Sequence, residues 1–131
     1  TRAKLEIAAA CHAHAKTPSH NVVTEFRDSA VLSTAARRAS REYGFTRMWS
    51  IHPSQIPVIV EAFTPADHEV ESALDILAAG MAADWAPVAH RSQGIERLHD
   101  RASYRYYWHV LERAHRVGVR LPFEAVERYF G

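Results

Sequence analysis

The chain has one cysteine, Cys11, so no internal disulfide can form. That excludes a disulfide-stapled scaffold and fits a reducing, cytoplasmic compartment. Long apolar runs are missing: the longest are a handful of residues, far short of the roughly 20 that span a bilayer. Charge of one sign is not in excess either. Sixteen Lys and Arg stand against 15 Asp and Glu, a formal net charge of +1, which gives no general basic surface for nucleic acid or an anionic membrane. The residues after Thr1 lack the charged, apolar and small-residue order of a signal peptide. What is present is ordinary for a globular domain: 131 residues, 47% apolar and 24% charged, enough to bury a sizeable core.

Helical spacing opens the chain. Leu5, Ala8, Ala9 and His12 recur at three-four intervals over residues 3–15, rich in the strongest helix former. No convincing cap precedes this segment, as if the chain were cut inside or just before a helix. Thr17-Pro18-Ser19 ends it. Residues 20–26 hold Val22, Val23, Thr24 and Phe26, a β-branched and aromatic run of strand length. Asp28 or Ser29 can cap a second helix with Val31, Leu32, Ala35, Ala36 and Ala39 on one face, and Gly44 suits its left-handed end. The apolar run Met48-Trp49-Ser50-Ile51 follows, stopped by His52-Pro53. The spacing predicts parallel strands near residues 19–25 and 47–51 joined by an outer helix, one βαβ unit.

After residue 64 the pattern predicts helices only. A short helix or turn runs from Pro53 to about Ala62. Thr64-Pro65-Ala66-Asp67 reads as a cap, a first-turn proline and an acid, opening a helix with Val70, Ala73, Leu74, Leu77 and Met81 inward. Residues 85–99 show no clear period and contain Pro87 and Gly94, which reads as a connector. Asp100 or Arg101 opens a helix with Tyr107, Val110, Leu111, Ala114 and Val117 inward and Gly118 at its end. A last short helix carries Phe123, Val126 and Phe130. Two parallel strands cannot close a barrel of eight strands and about 250 residues, and alone they would expose two edges. The expectation is either that a partner supplies more strands or that this is a piece of a longer α/β chain.

The block Gly44-Phe45-Thr46-Arg47-Met48-Trp49-Ser50-Ile51-His52-Pro53-Ser54-Gln55-Ile56 resembles the last barrel strand of the citrate lyase β-subunit (HpcH/HpaI aldolase) family. That family carries Gly-Phe-x-Gly-Lys-x-x-Ile-His-Pro-x-Gln-Ile. Ala62-Phe63-Thr64-Pro65 with Glu69-Val70 and Ala73 is similar to the family's next helix. Val22 to Asp28 resembles its seventh strand and the acidic turn after it, and Leu98-His99-Asp100 its (Met/Leu)-(Ile/Val)-Asp. The resemblance covers nearly the whole chain. The Ile-His-Pro-x-Gln-Ile block with Phe-Thr-Pro is its specific part, and the other matches support it by falling in order.

The resemblance implies the C-terminal part of a (β/α)₈ barrel: the last two parallel strands with helices at residues 1–62, then a helical extension or lid at 63–131. It implies a Mg²⁺-dependent carbon–carbon lyase of the malyl-CoA lyase type, which cleaves or forms a hydroxyacyl-CoA thioester. In malyl-CoA lyases the products are acetyl-CoA and glyoxylate. The metal ligands and the substrate arginine of the family lie on earlier strands, outside this segment. Trp49 and Ser50 correspond to the residues that contact the substrate or CoA, largely through backbone. Asp100 corresponds to a catalytic aspartate on a mobile segment that closes over a neighbouring subunit's site, while also being a good helix cap. A homotrimer or hexamer is implied, with no nucleic-acid or membrane partner. Alternatives are a non-catalytic relative serving as an interaction or regulatory module, and an aldolase acting on a free 2-oxo acid such as pyruvate. Two departures bear on substrate: Thr46-Arg47 stands for the family's Gly-Lys, and Ser19-His20 for a frequent Ile-Asp.

Other features read more simply. His52 is suited by its ordinary pKa to acid–base work, but in this motif it more often fixes a turn. His12, His14 and His20 lack metal-ligand spacing. The aromatic run Tyr104, Tyr106, Tyr107 and Trp108 suits packing or an oligomer interface better than adenine stacking. Arg37, Arg38, Arg41 and Arg47 around Gly44 resemble a helix-turn-helix, but no recognition helix fits before Pro53.

Overall fold

The computed structural model describes residues 1–92 and 94–131. The chain divides into two compact units, Thr1–Phe63 and Thr64–Gly131.

The first unit runs α1 (Arg2–Ala13), β1 (Ser19–His20), α2 (Ser29–Arg41), β2 (Arg47–Met48) and α3 (Gln55–Phe63). β1 and β2 pair in parallel, Ser19 opposite Arg47 and His20 opposite Met48. α2 makes the crossover. Asp28 caps it by accepting the Ala30 amide at 2.9 Å, and Leu32, Ala36 and Ala39 are its buried stripe; Val31, expected inward, is exposed. Leu32 and Ala36 pack with Met48, Ile59 and Ala62, while Ala8, Ala39, Tyr43 and Phe45 form a second cluster. α2 ends before Gly44. Glu42 is its cap residue, and the left-handed Gly44 (φ 76°) lets Phe45 N–H return to the Ala39 carbonyl at 3.0 Å.

Both strands are shorter than the run of strand-forming residues predicted. Trp49 N–H extends the ladder by one bond to the His20 carbonyl, 3.1 Å. Beyond it, the chain after β1 is held by a side chain instead of a strand, as described below.

The second unit runs α4 (Asp67–Ala82), β3 (Val88–Ser92), β4 (Ile95–His99), α5 (Arg101–Arg116) and α6 (Phe123–Phe130). Here the sequence expectation of helices alone fails. Residues 88–99, read as connector, form an antiparallel hairpin from Val88↔His99 to Ser92↔Ile95, turned at the left-handed Gly94 (φ 77°). Its inward positions are mostly polar, so the alternation that marks a half-buried strand is hidden.

α4 begins at Asp67, two residues later than the Thr64 cap predicts, because Glu69 supplies the cap by accepting the Ala66 amide at 2.7 Å. Val70, Ala73, Ile76 and Leu77 of α4 meet Tyr104, Val110, Leu111 and Ala114 of α5. Ile76, Leu77, Val110 and Leu111 are essentially inaccessible, each contributing about 1.5–3 kcal/mol by leaving water. Met81 and Val117, expected inward, are exposed. Gly80 and Tyr104 are buried there against each other.

Candidate functional site

In the first unit the chemistry-bearing groups gather where β1 and β2 end. Trp49 directly follows β2 and its side chain is 65% exposed. Its amide is committed to His20, which leaves its carbonyl free of the ladder. Ser50 is half-buried. Beside them Phe26 and His52 approach with ring centroids 5.4 Å apart, and the Arg27 guanidinium lies 5.5 Å from the Phe26 ring centre.

His52 shapes a turn. Its Nδ1 accepts the Ser54 amide at 3.2 Å and lies 2.8 Å from Ser54 Oγ, while its carbonyl accepts the Gln55 amide at 3.0 Å. That is the structural role the motif favours.

Gln55 ties both loops together. Its Nε2 donates to the Val23 carbonyl at 2.8 Å and the Glu25 carbonyl at 3.2 Å. Its Oε1 accepts the Ile51 amide at 2.9 Å. The residue is 1% exposed, and its amide fills the role of a third strand edge. Sequence reasoning quoted Gln55 within Ile-His-Pro-x-Gln-Ile but gave it no task; a long amide side chain just after a strand-ending His-Pro was the available signal. Glu25 closes the neighbouring turn through the Arg27 and Asp28 amides, at 2.6 and 3.1 Å. Those two donors hold its carboxyl below the usual range.

His20, where the family often has aspartate, is buried. Its Nδ1 lies 3.1 Å from the Asn21 carbonyl and its Nε2 2.8 Å from Lys4 Nζ. Nδ1–H therefore donates to the carbonyl and Nε2 accepts from the ammonium, an arrangement for a neutral ring. Burial first, then the Lys4 charge, hold its pKa below the ordinary 6.5. His12, of the same histidine group, lies 2.8 Å from the Gly44 carbonyl. The arginines of α2 are used within the unit: Arg38 bonds Glu42 and Tyr43, and Arg37 reaches Glu61 at 3.4 Å.

Asp100 belongs to the second unit and caps α5. Its Oδ1 accepts the Ala102 and Ser103 amides at 3.0 and 3.3 Å, and the residue is exposed. Oδ2 has no hydrogen bond among the described residues. In the aromatic run, Tyr104 is buried and donates its hydroxyl to the Ala86 carbonyl. Trp108 stacks on Phe130 at 5.5 Å. No group of three or more His, Cys, Asp or Glu that could hold a metal ion occurs among the described residues. Nor is any helix among them long and apolar enough to cross a membrane.

No family model matches the chain. It is 40% identical over 81 residues to an L-malyl-CoA/β-methylmalyl-CoA lyase of Cereibacter sphaeroides, covering 62% of this chain and 25% of that protein. A lyase of the same name from Rhodobacter capsulatus is 38% identical over 77 residues, covering 59% and 24%. Among solved structures, a citrate lyase from Burkholderia xenovorans superposes with a TM-score of 0.74 at 55% identity, over 99% of this chain and 39% of that one. The protein CitE of Mycobacterium tuberculosis, in complex with magnesium, acetoacetate and coenzyme A, superposes with a TM-score of 0.67 at 28% identity, over 86% and 40%. The chain thus spans about a quarter of the length of the curated relatives it matches. With the Ile-His-Pro-x-Gln-Ile block in place and its glutamine holding two loops, the chain belongs to the citrate lyase β-subunit (HpcH/HpaI aldolase) family.

Proposed function

We propose that this chain is the C-terminal part of a (β/α)₈-barrel carbon–carbon lyase that cleaves or forms a hydroxyacyl-CoA thioester. One observation carries the reading: 55% identity to a citrate lyase along 99% of the chain. The parallel β1–α2–β2 unit supports it, since it would supply the last two barrel strands. Trp49 and Ser50 then stand at the C-terminal ends of barrel strands, the face where such barrels bind substrates.

In this reading the Trp49 carbonyl and the Ser50 amide and hydroxyl orient the thioester, with Gln55 fixing the loops that carry them. Asp100 is the acid–base group. Its Oδ1 is anchored by two amides, and its Oδ2 takes the proton from the thioester's α-carbon in condensation and returns it in cleavage. Residues 64–131 act as the segment that brings this carboxylate to the site of a neighbouring subunit in a trimer or hexamer, so that water is excluded as the site is completed.

Magnesium accompanies coenzyme A in the M. tuberculosis relative. No group of side chains among the described residues fits such a site, and we place its ligands on strands outside the chain. The test is turnover by the intact protein with Mg²⁺ and malyl-CoA, reading glyoxylate release. Cleavage abolished by a chelator supports the reading. Absence of turnover across hydroxyacyl-CoA thioesters in a protein that binds Mg²⁺ would favour a non-catalytic relative. Aldol cleavage of free 2-oxo acids alone would replace the thioester with an aldolase substrate.

A further inference from the structure

The hairpin of the second unit carries an unusual inner face. Alternation along β3 and β4 puts Val88, His90, Ser92, Ile95, Arg97 and His99 on one side, four of the six polar, with His90 opposite Arg97 in the register. A hairpin packed on two helices ordinarily presents apolar side chains to them, and a polar set in that position calls for an explanation. This face, with Glu69 of α4 and Tyr107 of α5, lines a partly open cavity of about 230 Å³. That is below the roughly 300–1,000 Å³ of sites for drug-sized ligands and far above the ~10–15 Å³ that admits one water. His99 is 6% exposed, and its Nδ1 is buried with no hydrogen-bond partner among the described residues.

We propose that this cavity binds a small oxyanion, a carboxylate or phosphate group, with the Arg97 guanidinium and the ring nitrogens of His90 and His99 as its donors. A guanidinium fork matches two oxygens of either group. The cavity's carboxylate, Glu69, uses one oxygen to cap α4 at the Ala66 amide, 2.7 Å away. Asp75, the other acid near this wall, is exposed, and its Oδ2 stands 4.0 Å from His90 Nε2. That is beyond hydrogen-bond distance, so His90 keeps a donor for a ligand. Tyr107 lies edge-on to His99 at 5.7 Å and closes the floor. Burial and the charges of His90 and Arg97 depress the His99 pKa; the same charges attract an anion. The site does not depend on the lyase reading, because none of these side chains has a role in it.

The experiment uses the intact protein with ring-labelled histidine, titrated at constant ionic strength with inorganic phosphate in one arm and malonate in the other. Ring signals of His90 and His99 are assigned through His90→Gln and His99→Gln variants and report this cavity separately from any other anion site. Saturable shifts of both rings in either arm, weakened at least ~10-fold by Arg97→Gln, establish the site, and the arm that saturates tells carboxylate from phosphate. Arg97 is exposed on the hairpin, so Arg97→Gln is expected to keep the parent melting temperature, and Arg97→Lys provides a charge-retaining second variant. Shifts that rise linearly without saturation in both arms, or that are the same in Arg97→Gln, overturn the proposal and leave a water-filled cavity.

Discussion

Gln55 donates its side-chain amide to the Val23 carbonyl at 2.8 Å across 32 residues of sequence, and the same amide group accepts the Ile51 N–H. One buried side chain thereby replaces a strand's worth of pairing. Gln55→Leu keeps the volume but leaves the Val23 carbonyl and the Ile51 amide unpaired, each costing about 1–3 kcal/mol. A total loss of about 2–6 kcal/mol is expected, read as a lowered denaturation midpoint in the intact protein. Gln55→Glu is expected to be worse, since it sets a carboxylate against two carbonyls. A loss below ~0.5 kcal/mol for Gln55→Leu, the range of ordinary surface changes, would show that the loops hold without the clamp.

Gly80 lies against Tyr104 in the core of the second unit. A Cβ there would stand 2.8 Å from Tyr104 Cε1 and 3.2 Å from Trp85 Cε3. The Tyr104 ring cannot easily yield, because its hydroxyl is bonded to the Ala86 carbonyl. Two effects compete in Gly80→Ala: the helix gains up to about 1 kcal/mol in propensity, while overpacking costs about 1–3 kcal/mol. The overpacking dominates, and a net loss of about 1–2 kcal/mol is expected. Gly80→Ala in a Tyr104→Phe background should lose less, because the freed ring can shift. Equal losses in both backgrounds would place the strain elsewhere.

His20 and His99 predict an acid-sensitive fold. Both have folded-state pKa values below the ordinary 6.5, chiefly through burial. Above pH 6.5 both states are neutral at these rings and the stability is intact. As pH falls through 6.5 the unfolded chain takes up protons that the native rings resist. Stability then declines by up to about 1.4 kcal/mol per pH unit for each ring, levelling off below the folded-state pKa. Denaturation midpoints at pH 7.5 and 5.5 should differ, and His20→Gln should narrow the gap. An unchanged gap in both His20→Gln and His99→Gln would assign the acid sensitivity to other groups.

The crossover unit was legible in sequence because each local signal agreed with the packing. Asp28 caps α2, its alanine stripe is buried, and Met48 of the second apolar run pairs with His20 of β1. Strand length was not legible: Val23 and Glu25 have strand-forming neighbours, yet their carbonyls go to the Gln55 amide, a long-range bond that no local pattern encodes. The hairpin was hidden for the opposite reason. Both faces mix apolar and polar residues, with His99 buried while Leu98 is 72% exposed, so no apolar-polar alternation shows and Gly94 reads as a loop instead of a turn. Asp100 was read in two ways, as a cap from its position, which the structure shows, and as a site residue from the family resemblance, which stays a proposal.

That double reading of Asp100 gives the last prediction. Its Oδ1 accepts the Ala102 and Ser103 amides, and the proposed acid–base role needs only Oδ2. Asparagine caps a helix about as well as aspartate, whereas alanine gives up roughly 1 kcal/mol. The carboxylate's proton transfer is lost in both variants. Asp100→Asn in the intact protein is therefore expected to keep its melting temperature and lower kcat with a malyl-CoA-type thioester by ~10²-fold or more. Asp100→Ala is expected to show the same kinetic loss with a lowered melting temperature, so the two effects separate. Substrate KM should move little in either, because the proposed reading assigns orientation of the thioester to Trp49 and Ser50. Wild-type kcat in Asp100→Asn, with a substrate that the parent protein does turn over, would reduce Asp100 to the cap of α5.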